Sequence, residues 1–194
     1  MKIFIRKALA LATAAGISLA AISAPAFAEK PKWASKSSDN IVTFAANASG
    51  GTSDFDLNGE DFDVLIAALI ATDAISIFDG TDYTVFAPND QAFYDLTGTS
   101  SDEDAFNAAV NLLGVAGVEA VLAYHVTDGV RNSRSVTRAR NITMLDGNAI
   151  SARLGFVEAL FSEAEFIEGG TDNRLTDGMV HIIDAVLLPV NPAP

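Results

Sequence analysis

Two imidazoles, His125 and His181, are the side chains in this sequence whose ordinary pKa lies nearest neutrality, and the chain has no cysteine. Each could act as a base, a metal ligand or a bridge between hydrogen-bonding groups. A base in nucleophilic catalysis needs a nucleophile and an orienting group in a recognisable arrangement. There is no G-x-S-x-G elbow and no thiol, so a hydrolase is the weakest reading. His125 follows Tyr124 at the end of a Leu/Val-rich segment. A buried neutral imidazole must have partners, and the expectation here is that they tie a helix end to a sheet while the Tyr124 ring packs.

Three other groups carry chemistry. Asp54-Phe55-Asp56-Leu57-Asn58-Gly59 opens as D-x-D-x-N-G, the alternating oxygen ligands and glycine turn of a calcium loop. The pattern then fails, because Asp61 takes the eighth position and Leu65 the twelfth, where a bidentate Glu belongs. The expectation is a capped, solvated loop with no metal and no cofactor, Asp54, Asp56 and Asn58 being weak ligand candidates. Asp184 is a carboxylate in an otherwise apolar run, so it is expected to anchor on backbone N–H groups near Asn89 or Asp90. Arg131, Arg134, Arg138 and Arg140 lie within ten residues. They read either as a cationic strip for an acidic protein or a sulfated or carboxylated polysaccharide, or as solvated arginines paired with the surrounding acids. The second is favoured, since charge runs are usually solvated faces.

The N-terminus reads as an export signal rather than structure. Lys2, Arg6 and Lys7 precede an apolar run from Ala8 to Ile22, and Ala26-Phe27-Ala28 is a small-x-small cleavage site. The run is short for a membrane anchor, and no stop-transfer pattern follows. The expected organisation is a signal peptide over 1–28, a polar lead-in with Trp33 over 29–37, one domain over 38–190 and a tail over 191–194. Removing 28 residues from 194 leaves 166, enough for one domain whose core needs no disulfide. It also leaves nine basic residues against 25 acidic ones, a formal charge of −16. Such a surface repels nucleic acid and anionic lipid and favours solubility. The expected product is a periplasmic or secreted monomer that does not enter the membrane after cleavage.

These side chains must be positioned by alternating apolar patterns. Ile41, Phe44, Ala45 and Ala48 share a helical face after a cap at Ser38 or Asp39, and Gly50-Gly51 stops that helix. Phe62, Leu65, Ile66, Leu69 and Ile70 make a second stripe, and Ile75 and Phe78 point inward after it. Tyr83 to Ala87 is strand-like, Pro88 ends it, Asn89 caps a helix and Asp90 complements its dipole. Ser101 and Asp104 resemble a capping box, and Gly114 and Gly117 break the helix that follows. Ile142–Leu145 and Asn148–Ile150 flank Asp146-Gly147, a hairpin with an expected type I′ turn. Val180–Leu188 is nearly continuous apolar sequence, as for a strand buried on both faces. Helices early and strands late argue for an α+β fold.

Thr84-Val85-Phe86-Ala87-Pro88-Asn89-Asp90-Gln91-Ala92-Phe93 resembles the first signature of the fasciclin domain. Tyr124-His125 resembles its central motif, and Gly178-Met179-Val180-His181-Ile182-Ile183-Asp184-Ala185-Val186-Leu187-Leu188-Pro189 its closing signature. The resemblance implies a wedge of two small β-sheets flanked by helices, with the outer signatures on neighbouring core strands. It makes Thr84, Phe86, Pro88, Asn89, Asp90, His181 and Asp184 structural. It implies a non-enzymatic protein for cell adhesion, or for protein or polysaccharide binding, with Tyr124-His125 as a possible polar contact at an adhesive surface. The alternative is an exported small-molecule or calcium binder. In animal relatives an Asp-Ile pair near the closing motif is linked to integrin binding. Here the order is Ile183-Asp184-Ala185, so Asp184 is assigned to the anchor instead.

Overall fold

The computed structural model describes residues 38–51, 55–78, 82–153 and 155–190. The signal segment, Trp33, Asp54 and the tail lie outside the described residues. The rest is an α+β fold of two four-stranded sheets and five α-helices. In chain order come α1 (Ile41–Ala48), α2 (Asp63–Ala71), a 3-10 turn (Ala74–Phe78), β1 (Tyr83–Pro88), α3 (Asp90–Thr97) and α4 (Asp102–Tyr124). Then follow β2 (Val126–Asp128), α5 (Ser133–Val136), β3 (Ile142–Thr143), β4 (Ala149–Arg153), β5 (Phe156–Glu158), β6 (Glu163–Glu165), β7 (Asn173–Arg174) and β8 (Gly178–Ile183).

The first sheet has the order β2-β1-β8-β7, and the second β3-β4-β5-β6. At the centre β1 and β8 run parallel, from Tyr83 opposite Gly178 to Pro88 opposite Ile183. Alternation along these strands splits the interior in two. Val85, Ala87, Val180 and Ile182 face a core with α1 to α4. Phe86 and Ile183 face a second core with Tyr124, Val136, Ile142, Ile150 and Val157 from α4, α5 and the second sheet, and with Leu187 from the segment after β8. Every residue of β8 is buried. Phe86 is wholly buried, a burial worth about 1.5–3 kcal/mol. A Cβ on Gly178 would meet the Tyr83 carbonyl oxygen and the Ile41 side chain, so only glycine lets the two strands and α1 approach this closely.

Several local expectations are corrected. Asn40 caps α1, its Oδ1 accepting from Thr43 N–H at 2.7 Å, while Asp39 accepts from the Asn47 amide instead. Ile70 and Ile75 are exposed, because α2 is buried nearly all round at its start but runs out into solvent at its last turn. Gly117 does not end a helix. α4 continues to Tyr124, interrupted by a kink at Gly114 with φ 69° and ψ 165°. The β3–β4 hairpin forms, but its turn is not type I′. That turn needs positive φ at both central residues, and here Gly147 has φ 88° while Asp146 does not. β8 stops at Ile183, where its partner β1 ends at Pro88, although Leu187 and Leu188 stay buried beyond it.

Candidate functional site

The two imidazoles are held in the same way. His125 lies at the end of α4, 3% exposed. Its Nε2 accepts from Leu187 N–H at 2.9 Å, so the ring proton sits on Nδ1, which donates to the Val121 carbonyl at 2.6 Å. Burial lowers its pKa to about 4. His181 is central in β8. Its Nδ1 accepts from Asp172 N–H at 3.2 Å and its Nε2 donates to the Arg131 carbonyl at 2.8 Å. Its ring lies beside Phe86 and Phe166, and burial lowers its pKa too. Both rings are therefore neutral bridges between backbone segments distant in sequence. Tyr124 is also buried, its hydroxyl donating to the Ala149 carbonyl and accepting from Leu160 N–H, each at 3.1 Å. A partner cannot touch Tyr124 or His125 unless the fold opens.

The other signature residues are also engaged with backbone. Thr84 Oγ1 donates to the Gly129 carbonyl and accepts from Arg131 N–H. Asn89 caps α3 through Ala92 N–H. Asp90 does more than complement its own helix. Its two oxygens accept from Asp63 N–H at 2.8 Å and Val64 N–H at 2.9 Å, capping the start of α2. Asp184 is not the buried anchor expected near Asn89 and Asp90. The strand has ended, Asp184 is exposed, and its Oδ1 accepts from Glu165 N–H at 2.6 Å.

The arginines surround α5: Arg131 precedes it, Arg134 lies within it, and Arg138 and Arg140 follow it. Arg131 is half-buried, with its backbone committed to Thr84 and His181. Arg134, Arg138 and Arg140 are exposed. Pairing with the surrounding acids, the favoured expectation, is not what the geometry gives. Among the described residues the ion pair is Arg174–Asp82 at 3.4 Å, and none of the four arginines joins one.

Sequence reasoning missed a cluster of buried acids. Asp61, Asp63, Asp90 and Asp102 are at most 5% exposed. Asp63, Asp90 and Asp102 are the first residues of α2, α3 and α4, so three helix starts converge, and their positive ends favour the anionic form there. The ligand oxygens of Asp63, Asp90 and Asp102 lie within 4.8 Å of one another, as do those of Asp56, Asp61 and Asp63. Tyr94 donates to Asp102 at 2.5 Å, and burial and this carboxylate raise the phenol's pKa. The Asp90 pKa is raised by burial first and by the Asp61 carboxyl next. In the sequence Asp63, Asp90 and Asp102 look like ordinary acids at helix starts, and Asp61 like a loop residue. The only further signal was the D-x-D-x-N-G beginning.

No curated protein matches the chain. It is similar, at 19% identity and a TM-score of 0.41, to the structure of a FAS1 domain pair from the insect cell adhesion molecule Fasciclin I. The similarity covers 62% of this chain and 40% of that one, so the chain spans well under two thirds of that pair's length. The fasciclin domain model matches residues 60–189, about two thirds of the sequence and all three signatures. The chain belongs to the fasciclin domain family.

Proposed function

We propose that this protein is an exported, non-enzymatic binding module that mediates adhesion through an anionic partner, a protein or polysaccharide of the cell surface or periplasm. One observation carries the reading: Arg134, Arg138 and Arg140 are exposed and outside the ion pairing of the described residues, on a domain that is otherwise strongly acidic. A cationic strip on such a body gives a partner a defined orientation, because the rest of the surface repels it. The lack of chemistry in the imidazoles supports the binding role. All four ring nitrogens of His125 and His181 are engaged with backbone groups, which leaves neither ring free to act as a general base.

The test is binding of the purified protein to immobilised sulfated and carboxylated polysaccharides and to an acidic protein surface, at low and raised salt. Replacing Arg134, Arg138 and Arg140 together by Ala should weaken binding about tenfold or more with little change in melting, since exposed charges contribute little to folding. Equal binding by the variant overturns this reading.

A further inference from the structure

The acid cluster has no role in that strip, and its composition raises a separate question. Four carboxyl groups are buried together. Asp90 is held by two backbone N–H groups, but the Asp61 carboxyl also faces it. Asp61 is only partly satisfied by donors. Its Oδ2 accepts from the Asn58 amide at 2.8 Å, while its Oδ1 is buried with no hydrogen-bond donor. Carboxyl groups that face each other away from water need a proton or a cation between them.

We propose that Asp56, Asp61 and Asp63 bind one calcium ion, the loop before α2 serving as its cradle. Their ligand oxygens lie within 4.8 Å of one another. Calcium takes six to eight oxygens, waters included, at about 2.3–2.6 Å in flexible geometry and so suits three carboxylates on a partly exposed loop, whereas magnesium demands a near-ideal octahedron at about 2.0–2.1 Å. Asp56 is exposed, so the ion has an entrance and room for water ligands, while Asp61 supplies the buried oxygen that lacks a partner. The cradle is clamped in advance onto the β1–α3 corner: Asp90 N–H donates to the Asp61 carbonyl at 3.0 Å and Gln91 N–H to the Gly59 carbonyl at 2.8 Å. Gly59 packs against Gln91 and Tyr94, where a Cβ would be crowded. Binding there ties the loop, α2 and α3 together, so calcium would stabilise the centre of the fold. An affinity of about 10⁻⁴–10⁻³ M, that of extracellular calcium modules, suits an exported protein.

The test is calorimetric titration and thermal melting of the chelator-stripped protein with Ca²⁺ at neutral pH, with Mg²⁺ as a second arm. The expected result is one Ca²⁺ per chain and a melting rise that a chelator reverses. Asp56→Asn keeps a side-chain acceptor at an exposed position, so its ion-free melting should match the parent while its affinity falls about tenfold. Asp61→Asn should abolish the response and raise the ion-free melting temperature. The proposal is overturned by a flat titration up to about 10 mM Ca²⁺, by a full response in both variants, or by an equal response to Mg²⁺. An ion-free gain in Asp61→Asn beside a flat parent titration would assign a shared proton to the cluster and equally overturn it.

Discussion

The buried histidines and the buried aspartates solve the same problem with different completeness. Each group is polar and removed from water, and each joins segments far apart in the chain. At His125 and His181 the count of donors and acceptors closes. Each neutral ring gives one proton to a carbonyl and takes one from a backbone N–H. At Asp61 it does not close, because an ionised carboxylate only accepts and its Oδ1 is left without an N–H donor. Complete satisfaction marks a joint of the fold, and residual demand marks a place that can hold something from outside. The family's central Tyr-His pair is thus a joint, while the loop that failed a calcium pattern borders the unsatisfied group.

This contrast can be broken most directly at His125. His125→Ala would strand the Leu187 N–H and the Val121 carbonyl in the core and leave a void. It should cost about 3–5 kcal/mol in urea unfolding; a loss below about 1 kcal/mol would show that the ring is no joint. Acid tests the same bridges without mutation. The folded pKa of His125 is depressed from 6.5 to about 4, so its contribution is present above the unfolded pKa and is lost as pH falls through the folded one. Stability should drop by about 3 kcal/mol between pH ~6.5 and ~4 from this ring, with His181 adding in the same direction, and His125→Gln should flatten the slope in that window. At the aspartates the sign should reverse. Asp61→Asn should raise ion-free stability at neutral pH by about 1 kcal/mol, because it removes one of the facing carboxylates. The smallest effect belongs to Asp184→Ala, which removes one exposed bond to Glu165 N–H and should change the melting midpoint by no more than about 0.5 kcal/mol of stability.

Legibility varied with element length and with the reach of each interaction. β1 and α3 could be read because apolar residues, a strand-ending proline and an Asn cap fall within a dozen positions, and that corner forms as expected, with Asn89 capping through Ala92 N–H. β8 could be read as doubly buried from its nearly continuous apolar run. The second sheet could not be drawn strand by strand, since its strands have two to five residues and show too little alternation to set a register. Ile70 and Ile75 were misplaced because a helical stripe says which side is apolar, not where the neighbouring element ends.

From residue order alone came what depends on near neighbours: the caps at Asn89 and Ser101, the apolar face of α1, the doubly buried closing strand and an acidic domain with one concentrated basic stretch. Tertiary structure alone decided which polar groups meet. Asp63, Asp90 and Asp102 open separate helices, and only packing brings those helix starts to one point. Leu187 lies 62 positions from His125, and only the crossing of the closing segment behind α4 gives the imidazole its second partner. Local pattern records a residue's own preference for water or core, whereas burial without a partner is a relation between distant residues that no short stretch of sequence contains.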